Sequence, residues 1–238
     1  MKTVLITGGS SGIGEGLVKA YVESGFQVYN FDITSPSFVD PNAHYISCDL
    51  SDKNAISKAF EQLPHIDVLI NNAATYDQTD FLNQTLDELS SIINTNLLSA
   101  IQLSQLYANQ FEKENGRIIL IASTRAFMSE ANTVGYTVSK GGLTALVHSL
   151  AITLQEKHIT VNAVAPGWIN SHDEKLRTID HKFHPSNRVG KVEDIVRTCM
   201  FLTDEKSTFI NGETLVIDGG VTKKMIYPED EDDLVKRN

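Results

Sequence analysis

The chain has 238 residues and a formal net charge of −10, a balance that stays negative without the acidic run Glu229 to Asp233 and argues against a nucleic-acid or anionic-membrane surface. No window approaches roughly eighteen apolar residues, and the apolar run at the N-terminus is too short for a signal peptide. Two cysteines, Cys48 and Cys199, have neither metal-ligand spacing nor a disulfide framework, so a reducing cytoplasm is the expected location.

Thr3 to Thr7 is a short β-branched run of the kind buried on both faces of a parallel sheet. It leads into Thr7-Gly8-Gly9-Ser10-Ser11-Gly12-Ile13-Gly14 and then a helical pattern in which Leu17, Ala20 and Tyr21 share a face. Strand, glycine-rich turn and helix in that order make a pyrophosphate cradle: glycines admit positive φ and close backbone approach, and the helix start offers free N–H groups. A tight turn holding nothing is the plain alternative. Gln27 to Asp32 reads as a second strand, with Asp32 at its carboxyl end, eighteen residues after Gly14. An acid there accepts both ribose hydroxyls of an adenosine and repels a 2′-phosphate.

His44 to Cys48 is a third strand, followed by Asp49-Leu50-Ser51-Asp52, where Ser51 or Asp52 caps a helix whatever else is bound. Ile66 to Ile70 is a fourth strand, running into Asn71-Asn72-Ala73-Ala74. A long helical stretch spans about Leu86 to Phe111 and contains Asn96. Arg117 to Ala122 is the fifth strand, so Ser123 falls at a carboxyl strand end, where open α/β sheets bind ligands.

Val134 to Gln155 reads as a helix, placing Tyr136 and Lys140 one turn apart on one face. Tyr-x-x-x-Lys is common on solvated helix surfaces, but a phenol beside a fixed ammonium in a dry cleft is an acid with a lowered pKa, fit to exchange a proton near neutrality. Ile159 to Ala165 is the sixth strand and Thr214 to Ile217 the last. Between them, about 168–190 is polar, weakly periodic and suited to a mobile substrate lid. Its His172, His181 and His184 lack a completing Cys or Glu, so no metal is expected.

No low-complexity break divides the chain, so one domain is expected over 1–226, with a frayed acidic tail at 227–238. Ser90 to Phe111 and Gly141 to Gln155 contain no Lys, Arg, Asp or Glu. A helix on one face of a sheet keeps a charged outer stripe, so helices around 86–111 and 134–155 are expected to bury a second face in a homodimer or homotetramer.

Taken together, the glycine turn, Asn96, Ser123 and the Tyr136/Lys140 pair resemble the short-chain dehydrogenase/reductase family over nearly the whole chain. Asn71-Asn72-Ala73-Ala74 departs by one methyl from the family's Asn-Asn-Ala-Gly, and Pro166-Gly167-Trp168-Ile169-Asn170-Ser171 follows Pro-Gly-x-Ile-x-Thr with Ser171 keeping a hydroxyl. Arg188-Val189-Gly190, Asn211-Gly212-Glu213 and Asp218-Gly219-Gly220 match its C-terminal third.

The resemblance implies a Rossmann-type α/β fold, a doubly wound parallel sheet of about seven strands with helices on both faces. It implies NAD(H), or less readily NADP(H), held by Gly8, Ser11, Gly12, Ile13 and Gly14 at the turn. Asp32 would take the ribose, Asp49 and Leu50 the adenine edge, and Asn71 and Ala73 the next strand end, Asn71 tying neighbouring strand ends through its side chain. Pro166, Gly167, Ile169 and Ser171 would meet the nicotinamide carboxamide. Ile33 and Ser11 stand where phosphate-preferring members carry a base, which favours NAD(H). Ser123 would polarise the substrate oxygen, Tyr136 exchange its proton, Lys140 lower the Tyr136 pKa and bind the nicotinamide ribose, and Asn96 hold a water relaying protons to Lys140.

The activity implied is hydride transfer between nicotinamide and a secondary alcohol or ketone. A regulator that binds the dinucleotide without turnover, or an epimerase or lyase on the same fold, are the alternatives. The sequence does not choose among a sugar or polyol, an acyl thioester ketone and a cyclic diol.

Overall fold

A computed structural model describes residues 1–225 apart from 113, 114 and 173; the acidic tail read at 227–238 lies outside the described residues. In chain order the elements are β1 (Thr3–Thr7), α1 (Gly12–Glu23), β2 (Gln27–Asp32), β3 (Ala43–Ser47), α2 (Lys53–Phe60), β4 (Val68–Asn71), α3 (Leu86–Ile93), α4 (Ser99–Gln110), β5 (Gly116–Ile121) and α5 (Val134–Thr153). They continue with β6 (Ile159–Pro166), β7 (Ile169–Asn170), α6 (Thr178–Phe183), β8 (Gly190–Lys191), α7 (Val192–Thr203) and β9 (Thr214–Ile217).

Seven strands form one parallel sheet in the order β3-β2-β1-β4-β5-β6-β9, while β7 and β8 make a separate two-stranded pair. Val4 stands beside Val28 on one side and Val68 on the other. Because successive strand residues point to opposite faces, near-continuous apolar runs fill two cores at once. Leu5, Leu69, Leu120 and Ala163 face α2, α4 and α5, where Phe60, Leu103, Tyr107, Leu143 and Val147 meet them. Ile6, Ile70, Ile121 and Val164 face α1 and α7, against Leu17, Tyr21, Ile195 and Leu202. Each such fully buried aliphatic side chain stabilises the fold by about 1.5–3 kcal/mol.

The chain order reverses between β1 and β4, so the carboxyl ends of these strands open into a crevice. Two hydroxyl and amide side chains close it from below. Thr7 Oγ1 accepts from the amides of Asn72 (2.9 Å) and Ala73 (3.0 Å), and Asn72 Nδ2 donates to the carbonyls of Thr7 (3.0 Å) and Gly8 (3.1 Å). The strand-end tie expected of Asn71 is therefore made by Asn72. Asn71 is the last residue of β4, buried within the sheet, and its Nδ2 has no partner.

The helix expected from Leu86 to Phe111 is interrupted by a π-helical turn, Asn94–Leu98. The side chain of Asn96 is drawn inward there: its Oδ1 accepts from Thr75 N (2.8 Å), and its Nδ2 donates to Thr75 O (2.9 Å) and Ser139 Oγ (3.1 Å). Such a turn swells the helix by one residue and re-aims its later turns. The segment expected to be a mobile lid contains β7, α6 and β8, with α6 opened by an Arg177–Asp180 ion pair (2.7 Å). Within the charge-free stretches Leu98, Ile101 and Ile152 are exposed, as is Val138 one turn earlier on α5. Among the described residues no helix is long and apolar enough to cross a membrane.

Candidate active site

A cleft of ≈ 1180 Å³ runs along the carboxyl strand ends. The glycine turn forms one wall and is pinned by β2. Asn30 Oδ1 accepts from Gly9 N (2.8 Å), Asp32 Oδ2 from Ser10 N (3.0 Å) and Asp32 Oδ1 from Thr34 N (2.9 Å). Gly8 and Gly12 lie at φ +67° and +53°, and a Cβ on Gly8 would stand 2.8 Å from Ala73 Cα. Gly8, Ser11, Gly12 and Ile13 line the cleft; Ser11 precedes α1 without spending its hydroxyl on a cap. Gly14 does not line it: a Cβ there would fall 1.9 Å from Gly8 O, so this glycine lets α1 start against the turn.

Asp32, Asp49, Leu50 and Ala73 continue the wall toward β2, β3 and β4, and Ala74 adds its methyl beside them. Asp49 Oδ1 accepts from Ser51 N (2.8 Å) and Ser51 Oγ (2.7 Å), while Asp52 caps α2 through Asn54 N. Pro166, Gly167, Ile169 and Ser171 line the β6 side. Asn71 and Asn96 are the two expected site residues, besides Gly14, that do not line the cleft. This donor set fits a dinucleotide: a backbone cradle of positive φ at a helix start, and a carboxylate fixed one strand away. Of the lid histidines, His181 Nδ1 accepts from Val189 N, His184 is buried with Nδ1 against Asp180 O, and His172 lines the cleft. Among the described residues no three His, Cys, Asp or Glu gather as a metal site.

Ser123, Tyr136 and Lys140 converge where β5 ends. Ser123 Oγ accepts from Arg125 N (3.1 Å) in the 3₁₀ turn Thr124–Ala126. Lys140 is wholly buried, donates from Nζ to Ile121 O (2.6 Å) and lies 5.4 Å from the centre of the Tyr136 ring. Two residues without a motif of their own shape this corner. Asp77, more than fifty residues away in the chain, accepts from the first amides of α5, Gly135 N (3.0 Å) and Tyr136 N (2.9 Å). Tyr76 stacks on Tyr136 with ring centres 4.0 Å apart and donates its hydroxyl to Tyr136 Oη (3.2 Å). Neither leaves a local sequence signal, since both act across the fold.

Burial acts against every charge in this corner. It pulls the Lys140 ammonium down to about 7 and, followed by the nearby Tyr76 phenol, holds Tyr136 above its ordinary value, while the Ser123 hydroxyl and the Arg125 cation pull Tyr136 the other way. The lowered phenol expected from the Tyr-x-x-x-Lys spacing is not seen in the chain by itself, because the phenol's own burial and the Tyr76 hydroxyl outweigh the pull of Ser123 and Arg125. Burial raises Asp77 too, but hydrogen bonds from Gln84, Tyr136 N and Gly135 N outweigh it and leave the carboxylate below its ordinary value. Cys48 and Cys199 are core thiols that burial pushes up to about 11 and about 12.

The family model described as enoyl-(acyl carrier protein) reductase matches residues 8–222. The chain belongs to the short-chain dehydrogenase/reductase family. It is an oxidoreductase of that family. An uncharacterized oxidoreductase of Thermotoga maritima is 38% identical over 252 residues, spanning 96% of this chain and 98% of the relative. A 3-oxoacyl-[acyl-carrier-protein] reductase of Buchnera aphidicola is 31% identical, spanning 92% and 97%. Among solved structures, a 4-hydroxyisoleucine dehydrogenase complexed with NADH superposes with a TM-score of 0.89 at 29% identity, over 94% of this chain and all of the other. The short-chain dehydrogenase/reductase fold and its seven-stranded parallel sheet are therefore those of this chain.

The buried lysine sets a pH test. An unfolded chain keeps the lysine proton up to its ordinary value of 10.5, whereas the folded chain releases it above about 7. Between those values the unfolded state binds more protons, so stability gains with rising pH. Wild-type stability relative to Lys140→Met is expected to be flat below about pH 7 and to rise from there towards pH 10, read from urea midpoints. A pH-independent difference would mean that Lys140 stays charged in the folded chain.

Proposed function

We propose that the protein is an NAD(H)-dependent oxidoreductase that interconverts a secondary alcohol and its ketone, with Tyr136 as the acid/base. The observation that carries this reading is the meeting of Ser123, Tyr136 and Lys140 at one end of a cleft whose other end holds the glycine turn and Asp32. A neighbour crystallised with NADH and named as the dehydrogenase of a hydroxylated compound supports it. Gly8, Ser11, Gly12 and Ile13 would hold the pyrophosphate, Asp32 the adenosine ribose, Asp49 and Leu50 the adenine, and Pro166, Gly167, Ile169 and Ser171 the nicotinamide end. NAD(H), when bound, supplies or takes up the hydride.

The chain's residues do the rest. Ser123 Oγ donates a hydrogen bond to the substrate oxygen, so that negative charge growing there meets an oriented dipole. Tyr136 Oη gives its proton to that oxygen in reduction and takes it back in oxidation. Lys140, 5.4 Å from the centre of the Tyr136 ring, would add positive charge beside the phenol when protonated and bind the nicotinamide ribose, and Asn96 steadies it by holding Ser139, its neighbour on α5. Tyr136→Phe is expected to keep NADH affinity and lower turnover at least about a hundredfold across a panel of alcohols and ketones, followed by absorbance at the reduced nicotinamide band. Turnover near the wild-type rate would remove Tyr136 from the chemistry.

Asp32 with an exposed Ile33 beside it favours NAD(H), since a 2′-phosphate would meet a carboxylate and no cation. Asp32→Ala with Ile33→Arg is expected to narrow or reverse the preference for NAD(H) over NADP(H) in kcat/KM. Tighter NADP(H) binding by the unaltered chain would refute the preference. We read the exposed apolar residues on the outer sides of α4 and α5 as a contact between copies of a cytoplasmic homodimer or homotetramer. Light scattering at micromolar concentration is expected to give a multiple of the 26.3 kDa chain mass; a mass of one chain would rule the contact out.

A further inference from the structure

Arg125 is a cation that the proposed chemistry leaves unused. Its backbone amide is bonded to Ser123 Oγ, which locks the residue two positions from the hydroxyl that faces the substrate oxygen. Its side chain lines the same cleft as Ser123 and Tyr136 and is only 24% exposed. Among the described residues the guanidinium has one partner, Glu130 through Nη2, and Glu130 is itself 73% exposed. Five N–H donors with one exposed partner leave a fork open to a second carboxylate, and the partly dry wall strengthens that contact. The cation is close enough to bear on the Tyr136 phenol.

Position excludes the cofactor's phosphates as the intended partner. The glycine turn follows β1 and Arg125 follows β5, with β4 between them, so the two stand about 10 Å apart at the usual strand spacing. The cleft's other carboxylates leave this corner to the cation: Asp32 ends β2 and Asp49 follows β3, and Asp218 is turned onto the amides of Gly220 (2.8 Å) and Thr222 (2.6 Å). A positive group beside the reacting phenol in a chain of net charge −10 calls for an anionic substrate.

We propose that Arg125 anchors a carboxylate carried by the substrate, so that the protein acts on small hydroxy acids and the matching oxo acids. The proposal rests on the oxidoreductase reading of this site. In the oxidising direction the carbinol C–H would leave as hydride, for which bound NAD⁺ is the acceptor, the O–H proton would pass to the Tyr136 phenolate, and C–OH would become C=O while the carboxylate stays on Arg125. Glu130 competes for the same guanidinium in the free protein. A neutral ketone or thioester would leave that pair undisturbed.

Calorimetric titration of 2-, 3- and 4-oxopentanoate and their methyl esters into the NAD⁺-loaded protein tests this without turnover, since no reductant is present. At least one acid is expected to bind tenfold or more tighter than its ester, Arg125→Gln to erase that preference, and Glu130→Gln to tighten the acid two- to fivefold. Esters binding as well as acids, or an Arg125→Gln protein that keeps the preference, would overturn the proposal. Should Arg125→Gln fail to fold, the acid–ester comparison on the wild type and on Glu130→Gln decides alone. Oxidation of the corresponding hydroxy acids and hydroxy esters separates the two readings. Acid binding with no turnover of any alcohol sinks the alcohol–ketone reading of the site and leaves the carboxylate site. Equal turnover of acids and esters does the reverse.

Discussion

The burial of one lysine amine organises the reactive corner. Among the described residues Lys140 Nζ has a single acceptor, Ile121 O, and the cost of keeping a charge there is what draws its proton affinity toward neutrality. To bring the amine to that carbonyl, α5 must lie close against the end of β5. Ser139 and Asn96 hold it from the side, and Asp77 holds it from its first turn. The π turn in the preceding helix is the backbone's accommodation to Asn96 reaching inward.

That arrangement makes the phenol's reactivity conditional. Burial and the Tyr76 hydroxyl raise the phenol and burial lowers Lys140, so the acidity of Tyr136 depends on what else stands beside its Oη. Additional positive charge or donors near Tyr136 Oη shift the balance, and Ser123 and Arg125 already pull in that direction. Tyr76 covers one face of the Tyr136 ring and spends its own hydroxyl on Tyr136 Oη.

Most of the architecture was legible because its signals are local. Apolar runs such as Val4-Leu5-Ile6 and Leu69-Ile70 cannot be half-exposed strands, and glycines and an acid at strand ends stand where parallel sheets open. Boundaries moved by a residue or two: the third strand is Ala43–Ser47, the fourth Val68–Asn71. What stayed hidden depends on distant partners. Asp77 caps a helix across more than fifty residues, Tyr76 matters only because α5 brings Tyr136 over it, and Asn71 and Asn72 exchange roles according to which one lies past the strand end. The polar 168–190 segment looked structureless because β7, α6 and β8 are too short to show a period.

The glycine turn shows how identical residues can answer different questions. At Gly14 any side chain would collide with the carbonyl of Gly8, so a substitution there perturbs the backbone before a ligand is met. At Gly12 the nearest atom to an added Cβ is Ser171 Cβ at 3.4 Å, across open cleft. A defect after changing Gly14 therefore speaks of assembly of the turn, whereas one after changing Gly12 speaks also of the space between the turn and the β6 loop, once the strain of its positive φ is allowed for. Loss of function at the two positions is not the same observation, although the motif writes them with the same letter.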